Sequence, residues 1–447
     1  MRENKNFYKL VLSLVIPMAL QNLINVAVQS ADVIMLSKLN QDALSGASLG
    51  GQVLFILNLI FFGLTSGASV LTAQYWGKQD KKAIEKVFGI ALRFSMVIAI
   101  IFTIITLALP DFIMKLLSSD QAVRDYGVQY LRILCISYVF MAFTMVYLNI
   151  MRSLERVIIS TVVYSVSLMV NIIINAILIF GLLGFPALGI RGAAIGTVIA
   201  RMVEVLIVVI YDKKKNKLVE FKLKLIFMRD KALFKDFTVI SGPVVLNELA
   251  WGLGIAVTAA ILGQLGSASA SANAIVQVIR QLAMVVTYGI AAAAAIMIGK
   301  VIGEKNQDQA REYGKGFVKL SILSGICGAV VILIARPIVL HIMDLTPEAK
   351  GYLSIMMLMM SVFVIVQAYN TVMIVGIFRA GGDTMFGFIL EIFALWGGAV
   401  FIGALAAFVF KFSVPVVYAI ILCDEFIKMP FATYRYKTFK WLTDITR

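Results

Sequence analysis

The sequence GLTSGASVLTAQYWGKQD at residues 63–80 recurs in altered form as GIAAAAAIMIGKVIGEKN at residues 289–306. The two stretches have equal length, the same abundance of small residues, and a glycine followed by polar residues at the end of an apolar run. One shift of 226 residues relates them and also places Pro17 on Pro243 without a gap. Self-similarity at a fixed shift predicts that the chain consists of two homologous halves.

The composition and the length of the apolar runs indicate a membrane protein. Of 447 residues, 61% are hydrophobic and only 15% are charged, and the mean hydropathy is +0.93. These values exceed the apolar share of an ordinary domain and argue against a water-soluble fold. Runs of roughly 20 apolar residues, long enough to cross a bilayer as a helix, follow one another along the chain. We predict twelve spans, at approximately residues 10–36, 46–73, 88–109, 129–151, 157–183, 190–211, 237–263, 272–300, 315–340, 352–378, 385–409 and 413–434.

The predicted fold class is an all-α polytopic membrane protein with twelve transmembrane helices in two six-helix lobes. Residues 1–211 are expected to form the amino-terminal lobe, residues 212–236 a basic cytoplasmic linker, and residues 237–447 the carboxyl-terminal lobe. Because each half has an even number of spans, both halves enter from the same side, and a pseudo-twofold axis along the membrane normal is expected to relate them. Transporters built from such repeats bind substrate between the halves near mid-membrane and expose it alternately by rocking.

The distribution of basic residues predicts orientation and location. The chain has a net charge of +15, and its Lys and Arg residues concentrate in alternate loops. This positive-inside pattern predicts a multi-pass protein of the cell (inner) membrane with both termini in the cytoplasm, and it gives no reason to expect a nucleic-acid partner. The longest loop, residues 212–236, holds nine Lys or Arg residues and is interpreted as a solvated linker, with contact to anionic lipids as the alternative.

The residue inventory argues against cofactors and enzyme chemistry. Cys135, Cys327 and Cys423 lie singly in apolar spans, and His341, the only histidine, lies in a predicted loop. Such an inventory builds no zinc or haem site and no histidine-dependent catalytic triad, so we expect neither an enzyme nor a cofactor. A phosphate-binding P-loop is also absent from the sequence, which leaves an H+ or Na+ gradient as the predicted energy source.

Asp32 is the clearest ionisable residue within a span, and such residues are costly unless they have a function. At about 1.5 Å per residue, Asp32 of span 1 lies at a depth similar to that of Asn171 and Asn175 of span 5 and Thr197 of span 6. A carboxylate among amide and hydroxyl oxygens suits a monovalent cation, and Na+ is the only metal ion expected at this site. Alternatively, a desolvated Asp carries a proton. We predict an ion-coupling site at these four residues; a hydrogen-bond cluster that only joins helices is the alternative.

Glu248 of span 7 is a second acid within the membrane, and Arg280 of span 8 reaches a similar depth. An ion pair between them is interpreted either as a charge switch or second ion site, or as a neutralised contact between helices. The remaining acids are interpreted as mostly structural, several with a basic neighbour in sequence: Glu204 with Arg201, Asp424 and Glu425 with Lys428, and Glu391.

Aromatic, Met and Gln side chains of several spans are candidates for lining a substrate cavity. Aromatic faces attract cations and thioethers adapt to varied shapes, although such residues more often pack against helices or lipid. The candidates are Gln29, Met145, Trp251, Gln281, Met284, Tyr288 and Tyr369. The expected partners are small cationic or amphipathic organic substrates and membrane lipids, and the protein is expected to be a monomer.

The chain resembles the multidrug and toxic compound extrusion (MATE) family over essentially its full length. Four stretches carry the resemblance: residues 12–40, residues 63–80, VNIIINAILIFGLLGFPALGIRGAAIGTVIAR at 170–201, and VGIFRAGGDT at 375–384. The third is the most specific, because its N-x-x-x-N, G-x-P-x-L-G and G-A-A-x-x-T elements occur together. The resemblance implies two six-helix lobes in a V and antiport of cationic, often aromatic drugs against H+ or Na+.

The resemblance also implies roles for residues of the amino half. The helix 1 acid of the family corresponds to Asp32, and its amino-lobe ion site corresponds to Asn171 and Thr197. Asn175 stands where some members have Asp, which removes one negative charge and argues against a proton relay through two acids.

The carboxyl half departs further from the family pattern. Members of the NorM type place acids in spans 7 and 10, and Glu248 corresponds to the first. Span 10 offers Gln367 and Asn370 but no acid. We therefore expect ion coupling in the amino half and drug binding between the halves.

The sequence favours transport over three other functional classes. A flippase for lipid-linked saccharides belongs to the same superfamily, but such relatives usually have more spans and a strongly cationic cavity, whereas intramembrane basic residues are few here. A membrane-embedded transferase would need a polar active site, for example His with Asp, and the single histidine is isolated. A receptor or channel is disfavoured by the parallel repeat.

Overall fold

The computed structural model describes residues 2–219, 223–228, 230–343 and 345–446, and this part of the chain is helical without a β-strand. The side chains of residues 2–6, 29, 223 and 226 lie outside the description. The α-helices are α1 Arg2–Ser37, α2 Gln41–Gly77, α3 Lys81–Ala108, α4 Pro110–Leu117, α5 Gln121–Leu134, α6 Ser137–Ser153, α7 Val157–Phe180, α8 Ile190–Lys214, α9 Lys231–Gln264, α10 Ser267–Gly303, α11 Gln307–Ile342, α12 Pro347–Thr371, α13 Thr384–Glu391, α14 Val414–Ile421 and α15 Cys423–Lys437. The described residues also form π-helical segments at Val372–Phe378, Ile392–Ile402 and Leu405–Val409, and short 3-10 helices at Leu182–Gly184 and Leu223–Phe227.

The helix lengths confirm the predicted all-α polytopic class. Among the described residues, ten helices are long and apolar enough to cross a membrane, and α5 with α6 adds an eleventh span if the pair, bent by 53°, is counted as one. The last predicted span, at 413–434, is divided between α14 and α15, which meet at Leu422. Asp424 and Glu425 occupy the first turn of α15. The break and these charges explain why this region is not one long apolar helix.

The sequence repeat appears in the structure as equivalent helix caps. The side chain of Asp80 accepts from the backbone N–H of Ala83 at the start of α3, at 3.0 Å. The side chain of Asn306 accepts from the backbone N–H of Gln309 at the start of α11, at 3.2 Å. Each cap satisfies one of the amide groups that the first turn of a helix leaves unpaired. The shift of 226 residues relates the two caps.

The two repeated stretches contact each other through their terminal glycines. A Cβ atom on Gly77 would lie 1.9 Å from the carbonyl oxygen of Lys300, and one on Gly303 would lie 1.9 Å from that of Gln74. Because any Cβ atom would overlap the facing backbone, α2 and α10 approach this closely only where both residues are glycine. The contact explains why a glycine occupies the same place in both stretches.

The helices form two compact units. The amino unit comprises Leu20–Thr72 and Asp80–Thr238, and the carboxyl unit comprises residues up to Ala19, Ala73–Gln79 and Val239–Arg447. In the amino unit α7 packs on α8 and α3 packs on α6; in the carboxyl unit α10, α11 and α12 pack together. The first part of α1 therefore belongs with the carboxyl unit and its second part with the amino unit. The lobe boundaries drawn from the sequence remain a prediction.

The described part of the linker packs against α3. A Cβ atom on Gly89 would lie 2.3 Å from the carbonyl oxygen of Leu225. Nζ of Lys86 lies 3.0 Å from Oδ2 of Asp230, the linker residue immediately before α9. Hydrogen bonds from the backbone N–H of Leu233 and from Lys86 lower the pKa of Asp230 below its ordinary value. The linker is thus tethered to the amino unit by close backbone packing and by one ion pair.

Candidate functional site

The amino unit gathers three of the four predicted ion-coupling residues. Nδ2 of Asn175 donates to Oδ1 of Asp32 at 2.7 Å and to Oδ1 of Asn171 at 3.3 Å. Asp32, on α1, is half-buried, whereas Asn171 and Asn175, on α7, are 3% and 0% exposed. Residues four apart lie on one helix face, so both amides point the same way from α7. A carboxylate–amide contact thus joins α1 to α7.

Thr197, the fourth predicted residue, hydrogen-bonds within its own helix. Its hydroxyl donates to the carbonyl oxygen of Ala193, one turn earlier on α8, at 3.1 Å. The neighbouring Gly196 makes the contact with the cluster instead, because a Cβ atom there would lie 1.9 Å from Oδ1 of Asn175. The chain returns from α7 towards α8 at Gly181, whose φ of +71° is the left-handed conformation that favours glycine. Glycines therefore position α8 against the amides of α7.

One polar atom of this cluster is left without a partner. Oδ1 of Asn175 is buried and accepts no hydrogen bond. A buried acceptor beside a carboxylate is completed by a cation or by a proton-bearing group. The Asn175 amide thus donates to Asp32 and Asn171 through its nitrogen and keeps an unpaired oxygen on the side of Gly196. The role of these three residues in coupling remains a prediction.

Glu204 of α8 forms a second buried polar layer in the amino unit and is 1% exposed. Nη1 of Arg201 lies 2.9 Å from its Oε1, which confirms the pairing interpreted from the sequence. The hydroxyls of Ser167 and Thr144 also donate to its carboxylate, at 2.6 Å and 3.3 Å. The charge of Arg201 also acts on Asp32. The two acids of this region therefore share one cationic neighbour.

Glu248 of α9 pairs with Arg379, and the predicted pair with Arg280 is wrong. Nη2 of Arg379 lies 2.6 Å from Oε1 of Glu248, and the two side chains are 3% and 11% exposed. Nε of Arg280 instead donates to Oε1 of Gln277, one turn earlier on α10, at 2.7 Å. Equal depth along two spans does not specify which helix faces meet, so depth alone does not identify the arginine that pairs with Glu248.

The carboxyl unit contains a group that the sequence did not identify as a site, which we name the acid–lysine cluster: Glu391, Asp424, Glu425 and Lys428. Nζ of Lys428 lies 3.0 Å from Oε1 of Glu391, 3.1 Å from Oδ2 of Asp424 and 3.2 Å from Oε1 of Glu425. All four residues are buried, and the lysine side chain is only 2% exposed. The spacing of three and four residues on α15 signals the contacts of Asp424 and Glu425 in the sequence. Glu391 ends α13, and only the fold brings it to the lysine.

Asn370, at the end of α12, contacts this cluster. Its Nδ2 donates to the backbone oxygen of Glu425 at 2.7 Å and to Oε2 of the same residue at 2.8 Å. Its Oδ1 is buried and has no partner, and the same holds for Oε1 of Gln367 one turn earlier. Gln367 and Asn370 are the polar residues that span 10 offers in place of an acid. Each has a buried side-chain oxygen that accepts no hydrogen bond.

The residues predicted to line a substrate cavity lie in different environments. Met284 and Tyr369 are buried, and the Tyr369 hydroxyl hydrogen-bonds that of Thr433 at 2.8 Å. Among the others, Met145, Trp251 and Tyr288 are half-buried, Gln281 is exposed, and the side chain of Gln29 lies outside the described residues. A lining role remains a prediction for each of them.

Comparison with known proteins identifies relatives over most of the chain. The MatE family model matches residues 17–177 and 243–405, one match in each half. The chain is 24% identical over 388 residues to the probable multidrug resistance protein YoeA of Bacillus subtilis, covering 86% of this chain and 83% of that protein. It is 21% identical over 393 residues to the probable multidrug resistance protein NorM of Thermotoga maritima, covering 87% and 83%. Its fold is similar to the crystal structure of a mutant of the Vibrio cholerae MATE transporter VcmN, with a TM-score of 0.89, 17% identity and 98% of each chain covered.

Proposed function

Because the chain belongs to the MatE family of multi-pass membrane transporters, we propose that it exports small cationic or amphipathic organic compounds in exchange for H+ or Na+. The names of the relatives in Bacillus subtilis and Thermotoga maritima, both probable multidrug resistance proteins, support this substrate class. The observation that carries the coupling is the 2.7 Å contact between Asn175 and Asp32 in the amino unit.

Asp32 is the proposed binding site of the coupling ion. Its neighbours Asn171 and Asn175 are neutral amides, so the three residues together are negative when no ion is bound and neutral when one monovalent cation is bound. An uncompensated charge within a membrane is costly, and ion binding removes that cost. An ion and a drug that stabilise opposite states of a two-state transporter drive each other's movement, because each shifts the population by its differential affinity.

The orientation of the proposed exporter follows from its charges. Lys and Arg residues concentrate in alternate loops, which supports a location in the cell membrane with both termini in the cytoplasm. Export then moves compounds away from the side that carries the basic linker. Single copies of the chain are proposed to act alone, because each carries both repeats.

Transport of ethidium by the purified protein in proteoliposomes tests the proposal. Ethidium movement is followed by fluorescence while a Na+ gradient and a pH gradient are imposed separately. We expect one of the two gradients to drive accumulation, and Asp32→Asn to abolish this response. Asn at position 32 still presents an oxygen to Asn175, so the variant removes the charge and keeps the hydrogen bond.

Asp125→Asn provides the matched control, since it makes the same change at an exposed residue of the amino unit. Gradient-driven transport by Asp32→Asn at the wild-type rate would falsify the role of Asp32. Failure of wild-type protein to move ethidium under either gradient, together with translocation of a labelled lipid-linked oligosaccharide, would replace export by lipid flipping.

A further inference from the structure

The acid–lysine cluster carries more negative charge than its lysine neutralises. Three carboxylates surround one ammonium group, so two negative charges remain in excess when all three acids are ionised. All four side chains are at most 9% exposed. Excess charge in such surroundings is strongly unfavourable and is relieved by binding a cation or a proton. The charge count points to a missing positive charge.

The unpartnered oxygen of Asn370 indicates the same deficiency independently. Asn370 is 1% exposed, and its Nδ2 faces two acceptors of Glu425, the backbone oxygen and Oε2. Those acceptors fix the orientation of the amide, because the reversed amide would place its oxygen against the backbone oxygen. Oδ1 therefore remains a buried acceptor without a donor.

The backbone around the cluster is also irregular. Glu391 directly precedes the π-helical segment Ile392–Ile402, and Asn370 lies two residues before the π-helical segment Val372–Phe378. Segments of π-helix are rare and frequently occur at functional sites, because they displace side chains from the regular helical register. Glu391 of the cluster and Asn370, which contacts it, therefore each lie next to a change of helical register.

The other charges near the cluster do not neutralise the excess. From α9, the charge of Glu248 acts on Glu391, and Glu248 is itself paired with Arg379. On α10, the charges of Arg280, Glu425 and Glu248 all act on the Tyr288 hydroxyl, and the Arg280 guanidinium itself hydrogen-bonds Gln277. The remaining contact, from α12, is the neutral amide of Asn370. The neighbouring elements thus contribute one already compensated ion pair, neutral polar groups, and Arg280, whereas Lys428 is the cation that contacts the three acids among the described residues.

We propose that the acid–lysine cluster binds one exchangeable proton, shared between Glu391 and Glu425 across Lys428. Among the described residues, no group of three or more His, Cys, Asp or Glu side chains is arranged to hold a metal ion, which favours a proton over a metal ion here. The proton adds to a carboxylate oxygen from water on one side of the membrane and returns to water on the other. This inference rests on the proposed exchange function, to which it adds a proton site in the carboxyl unit.

Infrared difference spectroscopy of the full-length protein during a pH titration tests the site directly. Wild-type protein is expected to show the C=O band of a buried protonated carboxyl group, and Glu391→Gln and Glu425→Gln are expected to remove or displace it. Glu348→Gln, the same change at an exposed residue of α12, is expected to leave the band unchanged. A band that titrates identically in wild type and in both cluster variants overturns the proposal.

Asn370→Leu gives a second measurement that does not remove an acid. Loss of the donor to Oε2 of Glu425 is expected to displace the pH midpoint of the band, and an unchanged midpoint contradicts the shared-proton arrangement. In proteoliposomes, Glu425→Gln is expected to reduce ethidium transport driven by a pH gradient by about 5- to 150-fold, the usual range of a coupling free energy. A titrating band in a protein that does not transport ethidium under a pH gradient would support the proton site and contradict the proposed H+ exchange. Transport driven by a pH gradient without such a band would support H+ exchange and contradict the proton site.

Discussion

The cluster around Asp32 in the amino unit and the acid–lysine cluster in the carboxyl unit hold buried charge by different means. Asp32 is a single carboxylate beside the neutral amide of Asn175, and it is half-buried. The acid–lysine cluster places three carboxylates on one ammonium group, all buried. The two halves nevertheless share helix caps and a reciprocal glycine contact. The duplication thus preserved the backbone design, whereas the interior polar groups diverged.

The largest effect on stability is expected from removing the lysine of the acid–lysine cluster, which tests whether this cluster differs from the one around Asp32. Lys428→Met leaves three buried carboxylates without a counter-ion, and loss of one partner of a buried ion pair costs about 3–5 kcal/mol. We expect a large decrease in the thermal unfolding midpoint of the protein in detergent. The decrease should become smaller as the pH falls, because protons replace the missing positive charge.

Lys437→Met serves as the control, since Lys437 is exposed on the same helix, α15. Equal midpoints for the two variants would show that the acid–lysine cluster is not held together by its lysine. The distinction between the two clusters would then be lost.

A double-mutant cycle between Glu248 and Arg379 sharpens the description of the carboxyl unit. Residues in direct contact typically show interaction free energies of about 0.5–3 kcal/mol. We expect the interaction free energy between Glu248→Gln and Arg379→Gln, measured by thermal unfolding, to fall in this range. The matching cycle with Arg280→Gln should be additive within about 0.5 kcal/mol, because Arg280 bonds Gln277 instead. A larger interaction for Arg280 would reinstate the pair inferred from depth.

Gly196→Ala tests whether close packing maintains the Asp32 cluster. The added Cβ atom would lie 1.9 Å from Oδ1 of Asn175 and should displace the amide from Asp32. Overpacking costs about 1–3 kcal/mol, partly offset by the better helix propensity of alanine, so we expect a moderate decrease in the unfolding midpoint. Gly51→Ala is the control: nothing lies within 4 Å of its added Cβ atom, so it should stabilise α2 slightly. Equal effects of the two substitutions would contradict the contact.

The smallest effect is expected outside the membrane, at the ion pair of Asp230 with Lys86. The folded protein holds the pKa of Asp230 below the ordinary value of about 3.9, so this stabilisation is present above that value and is lost as the pH falls through the folded pKa. A solvent-exposed pair contributes only about 0.2–1 kcal/mol. Hydrogen exchange in the first turn of α9 should therefore be faster in Asp230→Asn at neutral pH. As the pH falls through the folded pKa, wild type and variant should converge, and a difference that persists in acid would contradict this assignment.

The sequence predicted the helices well because apolar run length is a local property. It predicted the last span less well, because Asp424 and Glu425 begin a separate helix there. Depth counting brought Asp32 together with Asn171 and Asn175, since these spans do face each other, but it assigned Glu248 to the wrong arginine. The contacts of Glu391 with Lys428 and of Asn370 with Glu425 depend on helix rotation and on π-helical register. Neither is encoded in a pattern of single-residue types.

The π-helical segment Val372–Phe378 explains why a single sequence shift does not relate all equivalent positions of the two halves. α5 begins at Gln121 and α12 at Pro347, a shift of 226, whereas α7 begins at Val157 and α13 at Thr384, a shift of 227. A π turn holds one residue more than an α turn, because its hydrogen bonds join residues five apart instead of four. The segment therefore has the form of a one-residue insertion in one copy of an ancestral gene. The insertion is absorbed inside a helix, because the wider turn accommodates one more residue without breaking the span.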